Sequence, residues 1–268
     1  MQKSFGLVAV LFVSLFSIPA FGMPSSCPEH YWRGQAPDLL NVEPAGNVQE
    51  ICYAGYAVIY SDAAETPLAA AEYLTREHLE GPHPSRSDDF HADRHIPRQY
   101  RSELEDYRDS SCFWDRGHMA PAGDMWNELA EHQSFSLANM IPQNPDDNRH
   151  LWEGIEASTR YLADREGSLY VVTGPIFYGH DLRRLDGHVL VPTYIFKAIY
   201  DPAKHAAAAY LAQNASGTRY AVISIRKLDS LCGLSVFPGF SEDVRMLRLP
   251  KPYMWGNRTS TEDQNIVP

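Results

Sequence analysis

Trp114-Asp115-Arg116-Gly117-His118-Met119-Ala120-Pro121, followed by Ser136-Leu137-Ala138-Asn139-Met140-Ile141-Pro142-Gln143 and then by Asn148, Trp152 and Glu156, is the stretch from which the rest of the chain is read. A histidine that exchanges a proton near neutral pH stands beside an arginine able to hold a phosphate. Amide and carboxylate oxygens of the kind Mg²⁺ prefers follow shortly. Phosphodiester hydrolysis needs that set: water must be activated, charge on the phosphoryl oxygens stabilised and the leaving oxygen helped away.

The spacing also sets local structure. From Asp147 to Asp164 the chain reads as a helix, because Leu151, Ile155, Thr159 and Leu162 fall on one side of a 3.6-residue repeat. Asp146 or Asp147 can cap it, leaving Asn148 in the first turn. Asn148, Trp152 and Glu156 are four apart and form a stripe along it. Upstream, residues 111 to 114 read as a strand that delivers Asp115–His118 to a turn.

This combination resembles the DNA/RNA non-specific endonucleases, whose signature is an Asp-Arg-Gly-His box, a Ser-Asn-Met-type box ending in Pro-Gln, and a helix with Asn, Trp and Glu four apart. Ala138 stands where the family usually has Ser. Gly55 to Tyr60, Val172 to Phe177, Val191-Pro192 with Phe196-Lys197, and Gly233 to Pro238 resemble further family segments in the same order. The resemblance implies an α+β fold, a central antiparallel β-sheet flanked by helices, with a ββα-metal active-site motif.

The resemblance also implies roles. His118 would be the base that deprotonates the attacking water, Asn148 the direct Mg²⁺ ligand, and Glu156 a carboxylate orienting water around the ion. Mn²⁺ suits the same oxygen donors. Arg86 would contact the scissile phosphate, with Arg94 and Arg98 nearby in the same segment, and Arg116 would offer a second guanidinium. Asn139 would help hold the site or the phosphate, and Asp115 would position Arg116 or a water on the ion. Plainer readings stand beside these: a core histidine for His118, a turn-forming amide for Asn139, a first-turn helix residue for Asn148 and a solvated charge for Glu156. Trp152 reads as packing and Gly117 as backbone geometry. His132, His150, His180 and His188 show no partner pattern.

The whole chain fits an exported enzyme. Its 268 residues, 44% apolar, suffice for one large domain with a substantial core. Residues 1–22 combine Lys3, an apolar run from Phe5 to Phe16 and small residues at Ala20 and Gly22, the pattern of a secretory signal peptide. A secreted or periplasmic protein without a membrane anchor is therefore expected, with a single catalytic domain over 23–250 and a loosely packed polar tail over 251–268. Four cysteines follow the signal, and an even count in an exported chain suggests two disulfides. Their pairing is open from sequence; Cys27 with Cys52 and Cys112 with Cys232 is the favoured arrangement.

Formal net charge is −11, and loss of residues 1–22 removes Lys3 and no acid, leaving 22 cations against 34 acids, or −12. Binding through bulk charge is excluded; a polyanion would have to be met by a local cluster of Arg and Lys. Elsewhere residues 52–60, 168–174, 188–200, 206–212 and 219–225 read as strands. Pro67 to Leu79 has a helix-favouring Ala-rich core, whereas the resemblance makes it a strand, and strand is the favoured reading. Residues 81–110 read as a long surface connection.

The expected activity is a Mg²⁺-dependent, sugar-non-specific endonuclease acting on DNA and RNA by water attack, with 5′-phosphate products. The rivals are a phosphodiesterase acting on small nucleotides and a catalytically inactive nucleic-acid-binding module on the same scaffold. Nothing in the sequence calls for a protein partner or sets the oligomeric state.

Overall fold

The computed structural model describes residues 25–42, 46–108, 114–241, 243–256 and 258–268. The expected signal segment, Cys112 and residues 111–113 lie outside the described residues. A nine-stranded sheet forms the frame. Its long strands are β1 (Val48–Cys52), β2 (Ala57–Ser61), β3 (Thr66–Thr75), β6 (Ser168–Ile176), β7 (Tyr194–Asp201), β8 (Ala206–Gln213) and β9 (Arg219–Ile223). They pair antiparallel in the order β9-β8-β7-β6-β3-β2-β1. Two-residue strands β10 (Arg245–Met246) and β11 (Thr261–Glu262) join in parallel, β10 to β8 and β11 to β9.

Both faces of the central strands are covered, so these strands are mostly apolar on both sides. Successive residues still turn to opposite faces. In β7, Ile195 and Ile199 enter the core on one face, whereas Phe196, Ala198 and Tyr200 enter the core on the other. Ala206 to Ala212 of β8 alternate in the same way. The first face packs against Trp152, Ile155 and Leu162 of the site helix. Opposite it lie α4 (Ile225–Cys232) and the segment around Cys27 and Tyr31.

Several elements differ from their sequence reading for physical reasons. Residues 52–60 are two strands and not one: Tyr53 N donates to Tyr56 O and Cys52 pairs with Ala57. Tyr53, Tyr56 and Ala57 are all buried, so the turn carries no polar signal. Of the segment from Pro67 to Leu79, the part to Thr75 is the favoured strand, since small side chains buried on both faces suit close sheet packing, but the rest is not strand and belongs to α1 (Arg76–Glu80). The tail is not loosely packed. Tyr253 O sits where a Cβ on Gly154 would be, Met254, Ser260 and Ile266 are buried, and Thr261–Glu262 extends the sheet.

Cys27 and Cys52 are disulfide-bonded, which ties the N-terminal segment to the end of β1. Cys232 has no sulfur partner among the described residues, and its thiol donates to Leu234 O.

Candidate active site

A two-stranded ribbon and a helix stand on the first face of the sheet. β4 (Asp115–His118) pairs antiparallel with β5 (Met140–Gln143), so that His118 faces Met140 and Asp115 faces Gln143. The chain then enters a π-helical turn, Asp147–Trp152, and continues as α3 (Glu153–Glu166), stopped by Gly167 at φ 95°. Trp152 rotates fully into the core, while Asn148 stays half-buried at the surface of the site.

The sequence of β4 is dictated by what lies across from it. A Cβ on Gly117 would fall 2.0 Å from Gln143 Oε1 and 2.6 Å from Gln143 Cβ, so only glycine fits. Gln143 is itself immobilised, fully buried with Nε2 donating to Asp147 Oδ2 at 2.8 Å. Asn139 is also committed to the backbone. Its Oδ1 accepts from Ala120 N at 2.9 Å, and its Nδ2 donates to Ala120 O at 2.8 Å and Ser134 O at 2.9 Å. With every polar atom used, Asn139 braces the end of β4 and has nothing left to offer a phosphate.

His118 is 8% exposed, and its Nε2 is buried without a hydrogen-bond partner among the described residues. The ring is held by Phe135, edge-on at 5.0 Å, and by Phe90 at 5.6 Å. Burial, reinforced by the charges of Arg86 and Arg116, pushes the imidazole down to about 3. It is therefore neutral at ordinary pH, with a lone pair on a pre-placed nitrogen. The same two aromatic rings seat the arginines: Arg116 lies over Phe90 at 4.1 Å and Arg86 over Phe135 at 5.0 Å. Arg86, half of it in solvent, also pairs with Asp88 at 2.7 Å.

Asp115 departs from expectation. Among the described residues its side chain bonds Arg149 and Asn148 and not Arg116: Oδ1 and Oδ2 accept from Arg149 Nη2 at 2.6 Å and Nε at 2.8 Å, a bidentate pair, and Oδ2 also accepts from Asn148 Nδ2 at 2.9 Å. Holding the NH₂ end of the Asn148 amide leaves its Oδ1, which accepts no hydrogen bond among the described residues, as an outward oxygen donor.

Glu156 belongs to a half-hidden charge network that the sequence reading missed. Burial pushes its carboxyl up to about 7, with Lys197 and Arg160 pulling it back and Asp124 and Glu153 adding to the rise. Arg160 Nη1 pairs with buried Asp124 at 2.8 Å. Lys197, fully buried, donates to Thr173 Oγ1 at 2.7 Å and lies 4.0 Å from Glu72. Burial drives the Glu72 carboxyl well up, with Asp124 adding to it and Lys197 opposing it. Arg160 had a signal: it continues the four-residue spacing of Asn148, Trp152 and Glu156. Arg149, Lys197 and Glu72 had none of that kind.

Comparison with known proteins bears on this arrangement. The chain matches the DNA/RNA non-specific endonuclease family over residues 35–243, and it belongs to that family. Among relatives, the mitochondrial nuclease EXOG of Danio rerio is 30% identical over 221 residues, 74% of this chain and 64% of its own length. Nuclease C1 of Cunninghamella echinulata var. echinulata is 35% identical over 175 residues, 59% of this chain and 69% of its own. This chain thus spans less than two thirds of the EXOG nucleases it matches. A solved structure, described as the EndoG/EndoGI complex and the mechanism of EndoG inhibition, superposes with a TM-score of 0.66 at 26% identity, covering 77% of this chain and 93% of that one. The α+β fold with a ββα site is as expected. The expectation of no protein partner is corrected, because that related structure is itself a complex with a protein that inhibits EndoG.

Proposed function

We propose that the protein is a Mg²⁺-dependent endonuclease that hydrolyses DNA and RNA by direct attack of water, leaving 5′-phosphate ends. The observation carrying this reading is a neutral His118 flanked by two ring-seated arginines. His118 takes the proton of the attacking water on its neutral imidazole. Arg86 and Arg116 hold the non-bridging phosphate oxygens, and Asp115 keeps the Asn148 amide turned so that Oδ1 points outward. Glu156, once ionised, orients water by accepting its hydrogen bond.

Asn148 Oδ1 is a hard oxygen donor of the kind Mg²⁺ or Mn²⁺ takes, and it would hold the ion, with water completing the shell. When bound, the ion supplies positive charge to the phosphoryl and leaving oxygens. A surface pocket of about 490 Å³ lies beside the site, with Arg86, Arg160, His83 and Tyr161 among its lining. The signal-like residues 1–22 support export, with DNA and RNA met in the periplasm or outside the cell.

The test is cleavage of circular plasmid and structured RNA by protein beginning at Met23, with Mg²⁺, with EDTA, and beside His118→Ala. Cleavage of both polymers, lost on chelation and lowered ~10²- to 10⁴-fold in the variant, is expected. A folded protein that cuts neither polymer would overturn the nuclease reading. Cell fractionation with N-terminal sequencing checks export, and a protein retained in the cytoplasm would refute it.

A further inference from the structure

Beside the arginine-bearing segment, but outside the residues used above, Asp89, His91 and His132 each offer a ligand atom, and these atoms lie within 4.8 Å of one another. His91 Nδ1 bonds Asp89 O at 2.8 Å. A carbonyl only accepts, so Nδ1 carries the proton and Nε2 keeps its lone pair. Donation of the second ring nitrogen to a backbone carbonyl is the usual way a metal-binding imidazole is oriented. His132 Nδ1 lies 3.3 Å from Asp89 Oδ2, and the two imidazoles stack at 4.6 Å, 13° from parallel.

We propose that Asp89, His91 and His132 form a second metal site, distinct from the one at Asn148, that takes Zn²⁺. Two nitrogens and one carboxylate match Zn²⁺, whereas Mg²⁺ prefers an all-oxygen shell. Tetrahedral Zn²⁺ with bonds of ~2.1 Å places its ligands about 3.4 Å apart. Asp89 and His132 are exposed and His91 is half-buried, so small side-chain rotations suffice to close the set. Three protein ligands leave a fourth position for water.

The ligands come from two segments, the run carrying Arg86 and Phe90 and the helix α2 (Glu128–Ser134). The backbones of these segments are already joined, His91 N donating to Phe135 O at 3.2 Å and Leu137 N to His91 O at 2.8 Å. The ion adds a side-chain clamp over that junction. It fixes the segment whose Phe90 carries Arg116 and touches His118.

Metal-stripped, disulfide-intact protein is titrated with Zn²⁺ by calorimetry, and with Co²⁺ by visible absorption, without any nucleic acid. Uptake of Zn²⁺ with a tetrahedral Co²⁺ spectrum is expected in the wild type and, unchanged, in Asn148→Ala. His132→Ala and His91→Ala each weaken it roughly 10-fold or more. His132 is exposed, so its removal leaves the fold intact, which a matching melting curve verifies. Absence of Zn²⁺ binding in the folded wild type, full binding in His132→Ala, or its loss in Asn148→Ala would each overturn the second site. None of these outcomes depends on whether the protein cuts nucleic acid.

Discussion

Asn148 donates its amide Nδ2 to Asp115 Oδ2 at 2.9 Å, so a carboxylate on the ribbon decides which end of an amide on the helix faces outward. Asp115→Asn loses the charge that holds both this amide and Arg149. We expect turnover to fall roughly 10- to 100-fold, with more Mg²⁺ needed for half-maximal rate, and little change in the circular dichroism. A Mg²⁺ titration checks it; a curve like that of the wild type would mean that Asp115 does not orient Asn148.

Activity should rise with pH through the region near 7, where the Glu156 carboxyl loses its proton. Replacement by Gln removes that limb together with much of the rate. Lys197→Met should move the limb to higher pH, because the Lys197 charge holds the Glu156 carboxyl down. Rates measured from pH 5 to 9 on all three proteins decide this, and a limb unmoved in Lys197→Met would separate the ammonium from Glu156.

Stability should show a slope of the same sign from His118. The imidazole takes a proton below 6.5 in the unfolded chain but only near 3 in the folded one, so the unfolded state binds more protons between those values. Its contribution is complete above 6.5 and is lost as pH falls toward 3, at up to ~1.4 kcal/mol per pH unit. Glu156 runs the other way, its folded value lying above its unfolded one, with a contribution present below 4.5 and lost as pH rises through 7. Denaturant melts from pH 4 to 7 should be less acid-sensitive in His118→Phe than in the wild type.

Gly117→Ala should cost ~1–3 kcal/mol, because the new methyl meets a Gln143 side chain that is anchored to Asp147 and cannot swing aside. Opening the ribbon displaces His118, and a shift of about 1 Å at a catalytic group costs on the order of 10²-fold in rate. Melting temperature and turnover together test this. A variant as stable and active as the wild type would show that the strands separate freely.

The site was legible where chemistry and spacing coincide. The Asp115–His118 box and the Asn148 to Glu156 spacing placed ribbon, helix and base, and the apolar runs placed the sheet. What escaped notice depends on contacts between distant segments. Arg149 reaches Asp115 from within a π-helical turn, and helical periodicity does not foretell such a turn. Lys197 hides in an apolar strand, its charge meaningful only once Glu72 and Glu156 are folded around it. His132 has no partner in its own helix; His91 and Asp89 reach it through the fold.

The two-residue pairing of Thr261–Glu262 with β9 sits at the margin of the nine-stranded sheet, with Thr261 N donating to Thr218 O and Asp263 N to Tyr220 O, both at 2.8 Å. Arg219–Ile223 would otherwise present bare carbonyls to solvent. The segment therefore acts as a guard against self-association, and a chain ending at Arg258 would offer an adhesive border to its own copies. Light scattering on warming should detect their growth into aggregates well before the intact protein clouds.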